Sequence, residues 1–104
     1  MKIKIEKQIY NVKICKTFKD RFLGLMFQKE VLMVYGFPHC HSVHTFFMKI
    51  PIDLVFCDQN GKVLNIVSKA KPWHVFSCPK AYYTFEFPKG TVAKTCSKVL
   101  FLKE

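Results

Sequence analysis

The sequence predicts a mainly β protein, an antiparallel β-sandwich or barrel with one short α-helix. Three observations carry that expectation. Apolar and polar residues alternate with a period of two in several short runs. Turn-forming Asn, Gly and Pro residues separate those runs, and only one segment shifts to a helical period. The 104 residues make a single domain, residues 1–104. A chain of this size buries roughly 65% of its unfolded surface around one core.

Taken in order, Ile3 and Ile5 alternate with lysines, and Val12 and Ile14 do the same. This predicts two half-buried strands joined near Tyr10 and Asn11. The run "TFKDRFLGLMFQKE" opens on Thr17 with Asp20 three residues on, a start resembling a capping box. Phe18, Phe22, Leu25 and Met26 then fall at helical spacing, so an amphipathic helix is expected over residues 18–28. Gly24 inside it costs about 1 kcal/mol relative to Ala and implies close packing of that turn. "LMVYGF" reads as a strand ended by Pro38, and "VHTFFMK" as another, set off from "IDLVFC" by Pro51. Asn60 and Gly61 sit between two strand-like runs and predict a hairpin turn over Asp58 to Gly61. "PWHVFSCPK" reads as a loop pinned by two prolines. "AYYTFEF" alternates, with Tyr82, Thr84 and a solvent-facing Glu86 on one side and Tyr83, Phe85 and Phe87 on the other. "KVLFL" closes the chain. A lone short helix leaves no room for repeated βαβ units.

Composition narrows the function. The apolar runs are too short to span a membrane as helices, and lysines interrupt the first residues where a secretory leader needs an unbroken apolar run. A cytoplasmic protein is expected. The five cysteines (Cys15, Cys40, Cys57, Cys78, Cys96) are scattered and include no CxxC pair, so free thiols are expected. The formal charge is +10, but sixteen of the seventeen basic residues are Lys and only Arg21 is Arg. Base and phosphate recognition favours the arginine fork, and these lysines form no dense block. Nucleic acid is therefore not expected as the main partner, and any binding should be weak and erased by salt.

Several separate blocks of the chain resemble the DUF192 family of small bacterial and archaeal proteins of unknown function. Arg21, Gly24, Leu25 and Met26 match its R-x-x-G-L-M segment. Val43, His44, Thr45, Met48, Pro51, Asp53, Phe56, Asp58, Gly61 and Val63 match its central pattern. Pro72-Trp73 matches its "PW", and "FEFPKG" with Glu86, Pro88 and Gly90 matches a late block. The resemblance runs from about Thr17 to Leu100. It implies a jelly-roll-like, mostly antiparallel β fold with the helix packed on it, and it implies no reaction. The chain departs from the family pattern at His41, where Asn is usual, and at His74, where Arg is usual.

One stretch invites chemistry: "HCHSVH", residues 39–44. His39 and His41, two apart, would point to one side of a strand as paired imidazole ligands, with Cys40 and His44 as further donors. A structural zinc site nevertheless needs four ligands, usually from two chain segments, and no second Cys/His pair exists. Cys40 and His44 could instead form a thiolate–imidazolium pair oriented by Asp53. The structural alternative makes His44 a hydrogen-bonded strand residue sharing a face with Phe46 and Met48, and pairs Arg21 with Asp53. A third reading places the Pro-bounded Trp73 and His74 beside "HCHSVH" as the rim of a binding site, the counter-reading being that Trp73 caps the core. The chain has no phosphate loop, no paired catalytic carboxylates and no serine elbow. The expectation is therefore a non-catalytic binding or accessory module. It needs no cofactor and takes an unknown small ligand or protein partner near Cys40, His44, Asp53, Trp73 and Arg21. A metal- or cysteine-dependent enzyme using Cys40 and His44 is the alternative.

Overall fold

The computed structural model describes residues 1–15, 34–46, 50–92 and 95–103. Within them the alternating runs form β1 (Lys2–Ile5), β2 (Gln8–Ile14), β3 (Val34–Pro38), β4 (Ser42–His44), β5 (Ile52–Cys57), β6 (Val63–Ala70), β7 (Val75–Ser77), β8 (Tyr83–Pro88) and β9 (Leu100–Leu102). The helix expected over residues 18–28 lies outside the described residues, as do Arg21 and Met48.

Seven strands make one sheet in the order β6-β5-β8-β3-β2-β1-β9, and β4 with β7 makes a separate two-stranded ribbon. The mainly β class holds, but the pairing is not purely antiparallel, because β2 and β3 run parallel. A parallel pair needs a crossover of a dozen or more residues, and residues 15–33 supply that length. The sheet curls into a half-barrel. Val63 N–H donates to the Ser97 carbonyl (3.1 Å), Val99 N–H to the Gly61 carbonyl (2.7 Å), and Lys62 bridges Lys98. These contacts join the head of one edge strand to the segment leading into the other.

Two turns show how local chemistry sets register. The first hairpin turns at Glu6 and Lys7, with Ile5 opposite Gln8, rather than near Tyr10 and Asn11. Tyr10 and Asn11 instead continue β2 opposite Ile3 and Lys2, and Glu6 takes the left-handed conformation at φ 56°. The Asp58–Gly61 turn forms as expected. The Asp58 carboxylate accepts the backbone N–H of Asn60 (2.9 Å) and of Lys62 (2.8 Å), a local bond typical of Asp in turns. Gly61 sits at φ +89°, and a Cβ there would lie 2.0 Å from the Val99 carbonyl oxygen. Only glycine fits both the backbone angle and that approach.

The sheet's two faces carry separate clusters. Ile3, Val12, Val55, Phe85 and Phe87 pack on the inner face. Ile52, Leu54, Phe56 and Ala70 pack on the other, where Val43 and Phe76 of the ribbon cover them. Strands β5 and β8 are central and covered on both faces, so all six residues of β5 are buried. This corrects the expectation for Glu86. It alternates properly with its neighbours, but β8 has no solvent face, and Glu86 is only 4% exposed opposite Tyr35 and Leu54.

Candidate functional site

The ribbon positions the site. Ser42 pairs with Ser77, Val43 with Phe76 and His44 with Val75. Opposed residues share a face, so Val43 and Phe76 turn to the core while the other pairs turn outward. The outer face is fastened at one end by the Ser77 hydroxyl donating to the Ser42 hydroxyl (3.0 Å). The segment read from sequence as a loop thus contains a strand, β7, because Val75 to Ser77 finds a partner in β4.

Thr45, one residue past β4, holds the other end. Its N–H donates to the His74 carbonyl (2.8 Å), and its carbonyl accepts the Trp73 N–H (2.9 Å). Its hydroxyl donates to the Lys71 carbonyl (2.7 Å) and accepts the His74 N–H (2.9 Å). Four bonds from one buried residue therefore hang the Lys71–His74 loop on the ribbon. They also offset the strain of Trp73, whose left-handed φ of 66° costs a side-chain-bearing residue roughly 1–2 kcal/mol.

This arrangement presents a run of rings. His44 stacks on Phe46 (centroids 4.9 Å, 28°), and Phe46 lies 6.1 Å from Trp73 at 30°. Trp73 is 59% exposed, Val75 60% and Phe46 37%. Trp73 therefore does not cap the core. Hydrogen bonds orient the two imidazoles of this region. His44 Nδ1 accepts the Phe46 N–H (3.2 Å), which leaves the proton on Nε2. His74 Nδ1 faces the Pro72 carbonyl at 2.7 Å and donates to it. The outer rings are thus accompanied by the His44 donor, whereas the His74 ring lies 6.1 Å from core-facing Phe76.

The other sequence-derived candidates lie elsewhere. Residues 39–41 are not a strand, because β3 ends at Pro38 and His39 turns left-handed at φ 51°, so the two-apart geometry of His39 and His41 is lost. His39 Nε2 meets the Tyr82 hydroxyl at 2.7 Å instead. Cys40 is buried with Cys15 and Phe37, and its thiol donates to the Ser42 carbonyl (3.2 Å). His44 ends its strand rather than beginning one, and its Nδ1 is taken by Phe46. Neither residue's recorded bonds join it to the other. Among the described residues no three His, Cys, Asp or Glu side chains gather closely enough to hold a metal ion. Asp53 is buried in β5, which pairs with β6 and β8 and not with β4, so it does not orient His44. Its carboxylate accepts the Lys69 N–H (2.9 Å) and the Val92 N–H (3.1 Å).

All five cysteines are free, and only Cys78 is not buried. Burial pushes the Cys57 thiol up to about 12, with neighbouring Asp58 adding to the shift. Iodoacetamide should therefore modify Cys78 first and Cys40 slowly, and His44→Ala should leave the Cys40 rate unchanged. Mass spectrometry of the labelled peptides reads this directly. A fast Cys40 slowed by His44→Ala would restore the thiol–imidazole pair.

Sequence reasoning missed Thr45 and misplaced Phe46. The spacing of Thr45 from Lys71 and His74 gives no periodic signal, since the link exists only once β4 and β7 pair. Phe46 reads as a core residue in any β-branched, aromatic run.

Comparison with known proteins agrees with this fold. The family DUF192, "Uncharacterized ACR", matches residues 1–99. A UPF0127 protein of Pyrococcus horikoshii is 38% identical over 86 residues, covering 76% of this chain and 73% of that protein. One from Thermococcus sibiricus is 38% identical over 89 residues, covering 78% of this chain but 56% of its own length. The crystal structure of a protein of unknown function from Novosphingobium aromaticivorans superposes with a TM-score of 0.81 at 19% identity, over 96% of this chain and 84% of that one. A Sinorhizobium meliloti protein gives 0.80 at 15% identity, over 94% and 90%. These two likenesses concern the fold alone. The match over nearly the whole length, together with the archaeal relatives, places this chain in the uncharacterised DUF192 family.

Proposed function

We propose that the protein is a non-catalytic binding module whose site is the ring run of His44, Phe46 and Trp73 on the outer face of the β4–β7 ribbon. The observation that carries this reading is exposure of large rings on a backbone that four Thr45 bonds hold rigid. Aromatic faces with a few fixed polar groups are the usual lining of small-molecule sites. The His44 Nε2–H supplies a donor beside the rings, which suits a small, ring-bearing ligand that carries an acceptor. Cys40, Asp53 and the metal candidates His39 and His41 have no part in this reading.

Trp73 is the only tryptophan in the chain, so its emission reports on this site alone. The test titrates monosaccharides, indoles and purines against the protein while following that emission and ligand-observed NMR. A true ligand shifts the emission, and Phe46→Ala weakens it by about tenfold or more, as loss of an aromatic anchor does. Thr45→Val keeps every ring but releases the loop, so binding weakens although no contact to the ligand is removed. Phe46→Ala should change stability by less than about 1 kcal/mol, because the ring is partly exposed. Ligands that bind equally well to Phe46→Ala and Trp73→Ala would overturn the proposal.

A further inference from the structure

Strand β6 forms one edge of the seven-stranded sheet, and its composition is unusual for an exposed edge. Natural edges carry charges, especially lysine, to discourage pairing with other chains. This chain has sixteen lysines, yet Val63 to Ser68 holds no charged residue, and Leu64 is 36% exposed. The head of the edge is already closed by the Val63–Ser97 hydrogen bond and the Lys62–Lys98 bridge. At the tail, Lys69 turns left-handed at φ 53° and its N–H is drawn to Asp53. Between these stops, no described residue pairs with Leu64 to Ser68 along this edge, a stretch of roughly 16 Å at about 3.3 Å per residue. A groove of about 350 Å³ runs beside it, lined by Val63, Leu64, Asn65, Ile66 and Cys96. An added strand would continue both clusters, since Ile66 packs on the inner one and Val67 on the outer.

We propose that this edge takes an extended segment of a partner protein as an added strand, with an apolar, β-branched centre and acidic residues at both ends. Charge selects that occupant. Exposed Lys62 and Lys69 flank that stretch, with Lys71 beyond. A second copy, paired antiparallel with Asn65 opposite Ile66, would set Lys62 of each copy opposite Lys69 of the other, between chains of formal charge +10. Like charges so placed are destabilising, whereas acidic ends on a partner strand meet the lysines favourably. Main-chain bonds supply affinity and the flanking charges supply choice, as in other strand-addition complexes.

The probe is a synthetic nonapeptide, Asp-Asp-Val-Thr-Val-Thr-Val-Asp-Asp, compared with the same peptide carrying Lys in place of Asp. Titrated into isotope-labelled protein, the acidic peptide should shift the amides of residues 64–68 and protect them from hydrogen exchange. It should bind about tenfold or more tightly than the lysine peptide. The double variant Lys62→Glu, Lys69→Glu keeps the backbone bonds at both positions and should reverse the preference. Three results would overturn the proposal: no protection of residues 64–68 at millimolar peptide, shifts confined to other surfaces, or a preference that the double variant leaves unchanged. Concentration-dependent protection of these amides without peptide would also overturn it and assign the edge to a second copy.

Discussion

Replacing Asp53 with alanine is expected to lower stability by about 3–5 kcal/mol, because it takes the acceptor from two backbone N–H groups at once. Oδ1 accepts from Lys69, where β6 shifts register against β5 between Ile52 and Leu54, and Oδ2 accepts from Val92 in the segment after β8. The Val92 bond is buried, so water cannot replace the lost acceptor there. Asp53→Asn is the sharper control. It keeps the shape but offers one carbonyl oxygen and one NH₂, so at best one bond survives and a donor faces a donor at the other. Asn should therefore fall close to Ala rather than midway between Ala and the native residue. Urea unfolding reads both variants, with the midpoint falling at an unchanged slope. Hydrogen exchange should lose protection first at Lys69 and Val92. Because domains of this size hold about 5–15 kcal/mol in total, Asp53→Ala leaves a marginal protein. An Asp53→Asn variant as stable as the native chain would show that one oxygen suffices and that the second bond contributes little.

Asp53 also shows what the sequence could and could not reveal. Its strand, its hairpin and the turn at Gly61 were legible, because alternation and the Asn-Gly pair are local signals. Its role was not, since the two amides it serves lie 16 and 39 residues away along the chain. The same limit explains Glu86. Alternation correctly separated Thr84 and Glu86 from Phe85 and Phe87, but whether a strand has a solvent face depends on its place in the sheet. A central β8, with β3 and β5 on either side, is a fact of strand order that no residue of "YTFEF" encodes. The placing of Trp73 near residue 44 was legible as two conspicuous segments, whereas the Thr45 bonds that join them were not. Left-handed His39 broke the expected ligand geometry for a related reason. Histidine alternation predicts a shared face only if the backbone stays extended, and the chain turns there.

The second large effect concerns pH and runs opposite to the usual behaviour of carboxylates. Glu86 lies in the sheet between Tyr35 and Leu54, and burial pushes its carboxyl up to about 8. Among the described residues no hydrogen bond or cation is recorded that would offset the desolvation. In the unfolded chain a glutamate titrates near about 4.3. The native state therefore keeps a proton that the unfolded chain releases. Stability linked to Glu86 is fully present below about pH 4.3 and is lost as pH rises toward 8, by about 1.4 kcal/mol per unit over that window. The full loss is about 5 kcal/mol, a large share of what a small domain possesses. Glu86→Gln has nearly the same shape and no proton to lose, so it should erase this dependence. Histidines and exposed carboxylates titrate in both proteins, and subtracting one stability curve from the other isolates Glu86. The difference should favour Gln increasingly from pH 5 to pH 8 and level off above that. Parallel curves over this range would mean that Glu86 ionises in the folded state near its ordinary value, through a partner that compensates the burial.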